Sequence, residues 1–176
     1  MNRALLILLF FFPIFCLAQV KNIGTPYIKN YPKSVYNAGT QNWGVTQDLN
    51  GFMYFANNDG LLCFDGVRWN LNVGSDKSPM RSVFVDSKNN IFVGLITDFG
   101  IFTKNEPEPP VFKSLKYLLP DEITDFDDIW RIHEIPKGIV FQSYKYLFIY
   151  ENNKIEILKP QKQFHFSFKL DRKSVV

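Results

Sequence analysis

The chain has 176 residues, 46% of them hydrophobic, 16% aromatic and 21% charged, with 20 Lys and Arg against 17 Asp and Glu for a formal net charge of +3. That apolar content is enough for a packed core and excludes a disordered chain. The charge imbalance is small and no cluster of four or more basic residues occurs, which excludes nucleic-acid binding through a basic stripe.

The chain opens with Met1-Asn2-Arg3, continues as an apolar run from Ala4 to Leu17 and reaches the small residue Ala18 before Gln19. These three parts predict a secretory signal peptide over residues 1–18. The apolar run falls short of the roughly 20 residues that span a bilayer, and Pro13 interrupts it. Lipidation at Cys16 is the competing reading, but Pro13-Ile14-Phe15 lacks the small residue that such a cysteine usually follows. Without the leader, 19 basic and 17 acidic residues remain, and Cys63 is the one cysteine left. No intramolecular disulfide is then available, and Cys63 is expected as a small buried side chain. The mature segment is expected outside the cytoplasm, periplasmic or extracellular.

Residues 19–40 form a lead-in with Pro26 and Pro32 and with Tyr27, Ile28, Tyr31, Val35 and Tyr36. It either runs extended across the molecule or completes a sheet with strands from the other chain end.

From Asn42 to Trp69, short aromatic and aliphatic segments alternate with Asp48-Leu49-Asn50-Gly51, Asn57-Asn58-Asp59-Gly60 and Asp65-Gly66. Asn-Gly and Asp-Gly supply the positive φ of tight hairpins, so this stretch predicts four antiparallel strands. Such a meander has too little core to stand alone. It recurs. Trp43-Gly44-Val45-Thr46-Gln47-Asp48, Arg81-Ser82-Val83-Phe84-Val85-Asp86, Trp130-Arg131-Ile132-His133-Glu134-Ile135 and Phe166-Ser167-Phe168-Lys169-Leu170-Asp171 align, with starts 38, 49 and 36 residues apart. Their third and fifth residues are mostly apolar, as a half-buried strand requires.

Second strands follow at Phe52 to Asn57, Asn90 to Leu95 and Ile139 to Ser143, and third strands at Leu61 to Phe64, Phe99 to Thr103 and Tyr146 to Tyr150. Arg68 to Asn72, Val111 to Leu115 and Lys154 to Leu158 are candidates for the fourth. Four strands on a period near 40 residues predict an all-β fold, a β-propeller of four-stranded blades. An irregular sandwich also has short, closely spaced strands, but it does not return a whole four-strand pattern in register. The partial propeller spans residues 41–176, with blades near 41–79, 80–128 and 129–163 and a truncated fourth at 164–176.

The long second interval holds an insertion, Lys104 to Asp128. Glu106-Pro107-Glu108-Pro109-Pro110 cannot donate to a ladder and is expected as loop. Asp121, Glu122, Asp125, Asp127 and Asp128 invite a calcium reading, but the D-x-[DN]-x-[DN]-G pattern is missing and a solvated loop is expected.

The search for chemistry yields little. His133 and His165 lie in different repeats without cysteine or H-E-x-x-H context, so no zinc site, metal or cofactor is expected. G-x-G-x-x-G, P-loop and G-x-S-x-G motifs do not occur. Asp48, Asp86 and Asp171 share one repeat position that turn capping explains more simply than a ring of catalytic carboxylates. No catalytic residue is assigned. The 18 Phe, 8 Tyr and 3 Trp are expected mainly between blades, while Trp69, Tyr117 and Tyr144 are alternatives for a ligand-stacking mouth.

Gly39-Thr40-Gln41-Asn42-Trp43, Asp48-Leu49-Asn50-Gly51-Phe52-Met53-Tyr54-Phe55-Ala56-Asn57, Gly60-Leu61-Leu62 and Phe64-Asp65-Gly66-Val67-Arg68-Trp69 resemble the first blade of two-component-regulator propellers. These form the periplasmic sensor region of Bacteroidetes hybrid histidine kinases and of triple-tyrosine transcriptional regulators. Gly24-Thr25-Pro26-Tyr27-Ile28 and Tyr31 resemble the mature start of such receptors. The likeness covers about residues 24 to 158 and weakens at the third blade. Tyr54, Phe92 and Phe141 stand where the family pattern has Trp.

The resemblance implies an extracytoplasmic ligand-sensing propeller without catalysis of its own, an oligosaccharide ligand from polysaccharide breakdown and a homodimer in the full-length receptor. It also implies further blades, a β-sandwich, a membrane helix and a cytoplasmic output domain, so the 176 residues read as an N-terminal fragment that would fold poorly alone. Two alternatives stand beside it. One is an exported propeller enzyme, a glycan lyase or hydrolase, which needs carboxylates converging at the ring mouth. The other is a secreted scaffold for partner proteins.

Overall fold

In the computed structural model, the described residues are Gly24, 27–74, 77–103 and 109–169. The expected signal peptide, residues 104–108 and residues 170–176, Asp171 among them, lie outside these. The chain divides into two units, the first ending at Asn30. Its described residues, Gly24 and Tyr27 to Asn30, are exposed and carry no helix or strand.

The second unit is all-β and built of propeller blades. Blade 1 comprises β1 (Asn42–Gln47), β2 (Met53–Asn57), β3 (Gly60–Phe64) and β4 (Trp69–Asn72). Blade 2 comprises β5 (Met80–Val85), β6 (Ile91–Leu95), β7 (Phe99–Thr103) and β8 (Val111–Ser114). Blade 3 comprises β9 (Arg131–Ile135), β10 (Gly138–Gln142), β11 (Leu147–Glu151) and β12 (Lys154–Leu158). Each sheet keeps its strands in sequence order and pairs neighbours antiparallel, with β1, β5 and β9 as the first strands.

The turn chemistry is visible in the backbone. Gly51 adopts φ 86°, which a side chain would strain, and its N–H donates to the Asp48 carbonyl at 3.1 Å. Asn89 adopts φ 68° in the matching turn of blade 2. Asn tolerates that left-handed conformation where most residues do not.

Burial follows the blade stacking. Tyr54, Ala56 and Leu61 of blade 1 join Met80, Ile91, Val93, Leu95 and Phe102 of blade 2 in one core. Phe92 and Phe99 of blade 2 join Ile132, Ile139, Phe141 and Phe148 of blade 3 in a second, more aromatic one. Phe99 lies 4.7 Å from the Phe141 ring centre and 5.1 Å from that of Phe148. Such ring pairs contribute about 0.5–1.5 kcal/mol each beyond their buried area. The close blade 2 to blade 3 approach depends on Gly94, where a Cβ would lie 2.4 Å from Ser82 Oγ and 2.5 Å from Ile129 Cγ2.

In blades 2 and 3 the third residue of the aligned hexapeptide packs in the core shared with the preceding blade. Val83 packs on the first core and Ile132 on the second. Val45, their equivalent and expected on a buried face, is 57% exposed, because among the described residues no blade packs on that side of β1.

The described part of the lead-in adds no strand. It forms a short helix, α1 (Lys33–Tyr36), and places Tyr31 and Tyr36 5.2 and 5.8 Å from the Trp69 ring on blade 1. Aromatic area on a sheet face that would otherwise meet water explains the docking.

The insertion is not the solvated loop its carboxylates suggested. Leu115, Leu119 and Phe126, with Ile129 just after the insertion, are buried in the core between blades 2 and 3. Apolar residues interleaved with the acids carry the segment inward, and a 3₁₀ turn at Lys116–Leu118 starts it. Residues 164–169 carry no strand, although Phe164 N–H donates to the Tyr144 carbonyl at 2.9 Å and ties the segment to blade 3.

Candidate functional site

The first strands of blades 1 and 2 both open on a β-bulge. Asn42 pairs with Asn57 and Gly44 with Ala56, which leaves Trp43 as the extra residue. Met80 pairs with Leu95 and Ser82 with Gly94, which leaves Arg81. In blade 3, Arg131 pairs with Gln142 while the Trp130 N–H also donates to the Gln142 carbonyl at 2.9 Å. A bulge increases local twist and re-aims the residue it carries. Three successive blades therefore turn Trp43, Arg81 and Trp130 toward one point.

There the Arg81 guanidinium carbon lies 4.5 Å from the centre of the Trp43 ring and 5.5 Å from that of Trp130. The two indoles meet edge to face at 5.7 Å. A cation over an indole face contributes about 0.5–2 kcal/mol according to its desolvation. Tyr144, on the β10 to β11 turn, stands 6.1 Å from Trp130. Trp43 and Tyr144 each leave 37% of their surface to solvent, so the cluster presents ring area as well as packing it.

Its polar groups come from neighbouring turns. Arg81 Nε donates to Asp128 Oδ2 at 2.7 Å, and Nη1 reaches Asn58 Oδ1 at 3.5 Å. Asn58 Oδ1 also accepts the Trp43 Nε1–H at 2.8 Å. Asp128 is fixed by a bridge to Ile96 and by the Ile129 N–H donating to the Leu95 carbonyl at 3.1 Å. The Trp130 Nε1–H is buried and finds no acceptor among the described residues.

Lys145, beside Tyr144, pairs with Asp125 at 2.8 Å and Asp127 at 3.1 Å. The Lys145 hydrogen bond holds the Asp125 carboxyl below its usual range, and the two carboxylates raise the Lys145 pKa. Three carboxylates of the acidic stretch are thus engaged by cations of the protein itself. Among the described residues no three His, Cys, Asp or Glu side chains gather as metal ligands.

The opposite end of the first strands is spent differently. Asp48 Oδ1 accepts the Asn50 and Phe52 N–H groups, both at 2.9 Å, and Oδ2 accepts the Tyr54 hydroxyl at 3.0 Å. Burial, then that hydrogen bond, push the Tyr54 pKa far up, so the hydroxyl stays a donor. Asp86 Oδ1 accepts the Lys88 and Asn90 N–H groups at 3.0 and 2.7 Å. A cleft of about 700 Å³ lies at this end between blades 2 and 3, floored by Phe92, Ile101, Ile139 and Tyr150. Its polar rim is largely self-satisfied, with Glu134 accepting from Ser87 and Lys137 paired with Glu156.

Of the aromatics singled out from sequence, Tyr144 joins the cluster. Trp69 lies outside it at the start of β4, stacked 4.4 Å from Phe64. Tyr117 is exposed and donates to Asn153 Oδ1 at 2.9 Å, bridging blades 2 and 3. His133 Nε2 lies 2.8 Å from Ser167 Oγ and 3.2 Å from the Ser167 carbonyl, and burial lowers its pKa. His165 is exposed. Cys63 is half-buried and its sulfur accepts from Asn72 Nδ2 at 3.3 Å.

Trp43, Arg81 and Trp130 were used in the sequence only to align the repeat. The missed signal was that alignment itself, because equivalent positions in successive blades are brought together around one axis.

No family model matches the chain, and no curated protein is similar to it in sequence at a significant level. Solved structures are similar in fold. Virginiamycin B lyase from Staphylococcus aureus superimposes with a TM-score of 0.60 at 17% identity, over 73% of this chain and 44% of the lyase. The extracellular domain of a putative hybrid two-component system from B. thetaiotaomicron superimposes with a TM-score of 0.56 at 17% identity, over 76% of this chain and 17% of that one. The chain thus spans less than half the length of either.

Proposed function

We propose that this chain supplies the ligand-sensing propeller of an exported signal-transduction receptor or regulator, and that it binds oligosaccharides released from complex polysaccharides without transforming them. The observation that carries this reading is the convergence of Trp43, Arg81 and Trp130 from equivalent repeat positions of three successive blades, the first two of them bulged. Exposed ring faces with a few fixed polar groups suit sugars, whose apolar faces stack and whose hydroxyls hydrogen-bond. The fold shared with an extracellular domain of a putative hybrid two-component system supports the sensor class. Fold does not fix function, so the site bears the weight. Export rests on the leader in residues 1–18.

An exported propeller lyase or hydrolase is the second reading, supported by the fold shared with virginiamycin B lyase. It would need an acid and a base free to move protons. Asp48 and Asp86 hold their own turns, and Asp128 holds Arg81. Titration calorimetry of the full-length protein against an oligosaccharide panel, with chromatography of the same mixtures, tests the proposal. Binding without new products is expected, weakened about tenfold or more by Trp43→Ala or Trp130→Ala. Shortened or unsaturated products would establish the enzyme instead.

A further inference from the structure

The Arg81 and Asp128 pair has its charges cancelled and its hydrogen-bonding capacity only partly used. Nε and Oδ2 face each other. Arg81 Nη2 has no partner among the described residues, and Nη1 has only the long contact to Asn58. Asp128 Oδ1 accepts from none of the described residues, the pair itself using Oδ2. Donors on the guanidinium edge therefore stand beside an unspent carboxylate oxygen, between the Trp43 and Trp130 rings.

We propose that this pair is the polar reader of the site and selects neutral sugars over acidic ones, gripping two adjacent hydroxyls of a residue that stacks on Trp43 or Tyr144. The inference rests on the proposed function. A hydroxyl both donates and accepts, so of two neighbouring hydroxyls one accepts from Arg81 Nη while the other donates to Asp128 Oδ1. Both bonds are charge-assisted, which makes them stronger than neutral ones.

A uronic acid fares worse because the surrounding field is not positive. Arg81, Arg131 and Lys145 stand against Asp125, Asp127 and Asp128, and exposed Asp59 follows Asn58 in the blade 1 turn. A ligand carboxylate would gain Arg81 only by facing Asp128, a like charge on the same partner.

The test uses the full-length protein, titrated with size-matched tetrasaccharides, neutral xylo- or manno-oligomers against oligogalacturonate, by calorimetry and indole fluorescence. The neutral ligand is expected to bind at least tenfold more tightly. Arg81→Lys, which keeps the charge but loses the fork, is expected to weaken the neutral ligand about tenfold. Asp128→Asn, which releases the Arg81 charge, is expected to raise oligogalacturonate affinity about tenfold and so narrow or reverse the preference.

Tighter binding of oligogalacturonate by the unaltered protein would overturn this inference and leave the sugar-sensing reading intact. Binding of neither class would overturn the ligand class of both. A preference that survives Asp128→Asn and Arg81→Lys unchanged would remove the pair from the recognition. If Asp128→Asn fails to fold, as circular dichroism would reveal, Arg81→Lys decides: unchanged neutral affinity overturns the proposal.

Discussion

The two ends of the first strands carry residues of similar chemistry and put them to opposite uses. At the turn end, Asp48 and Asp86 spend their carboxylates on backbone N–H groups within four residues of themselves. At the bulged end, Asp128 reaches Arg81 of another strand, 47 residues away, and keeps one oxygen unspent. A carboxylate that closes its own turn adds stability and has nothing left for a ligand. One that is held by a distant cation between aromatic faces can serve recognition. The difference lies in how far the hydrogen-bond partners are along the chain.

That contrast is breakable by substitution. The largest effect is expected from Asp48→Ala, which removes the acceptor of two turn N–H groups and of the buried Tyr54 hydroxyl. It should cost about 2–3 kcal/mol in urea denaturation of the full-length protein, while sugar affinity of the folded fraction stays within about twofold. Loss of sugar affinity without loss of stability would move Asp48 from the turn to the site.

Trp130→Ala probes the other end. The loss of stacking and of support for Arg81 is expected to weaken oligosaccharide binding about tenfold, or ~1.4 kcal/mol, by calorimetry. Asp86→Asn should cost about 1 kcal/mol of stability, since the amide oxygen still accepts from the turn but without charge, and it should leave binding unchanged.

The smallest effect lies between the ends, at His133. Burial lowers its pKa in the folded state, so the unfolded chain takes up a proton more readily. Its contribution is complete above the unfolded value near 6.5 and is lost as pH falls through 6.5 toward the lower folded value. The urea midpoint should therefore drop between about pH 7.5 and 5.5, and His133→Gln should flatten that slope.

The amino-acid sequence by itself determined the strands, their order and the turns, because those depend on neighbours in the chain. Alternating apolar residues and Asp-x-Asn-Gly or Asn-Asn-Asp-Gly turns are local signals, and β3, β7 and β12 fall within one residue of where they were expected. The capping role of Asp48 and Asp86 was legible for the same reason. What the tertiary structure decided depends on where whole blades lie. Val45 and Val83 occupy the same repeat position, yet one is largely exposed and the other packs on a core, because only one faces a blade. Phe126 sits in an acidic stretch that read as solvated, but a core between two blades draws it in. Trp43, Arg81 and Trp130 stand 38 and 49 residues apart and meet because successive blades bring equivalent positions to one axis, two of them aimed by bulges, which no local pattern encodes.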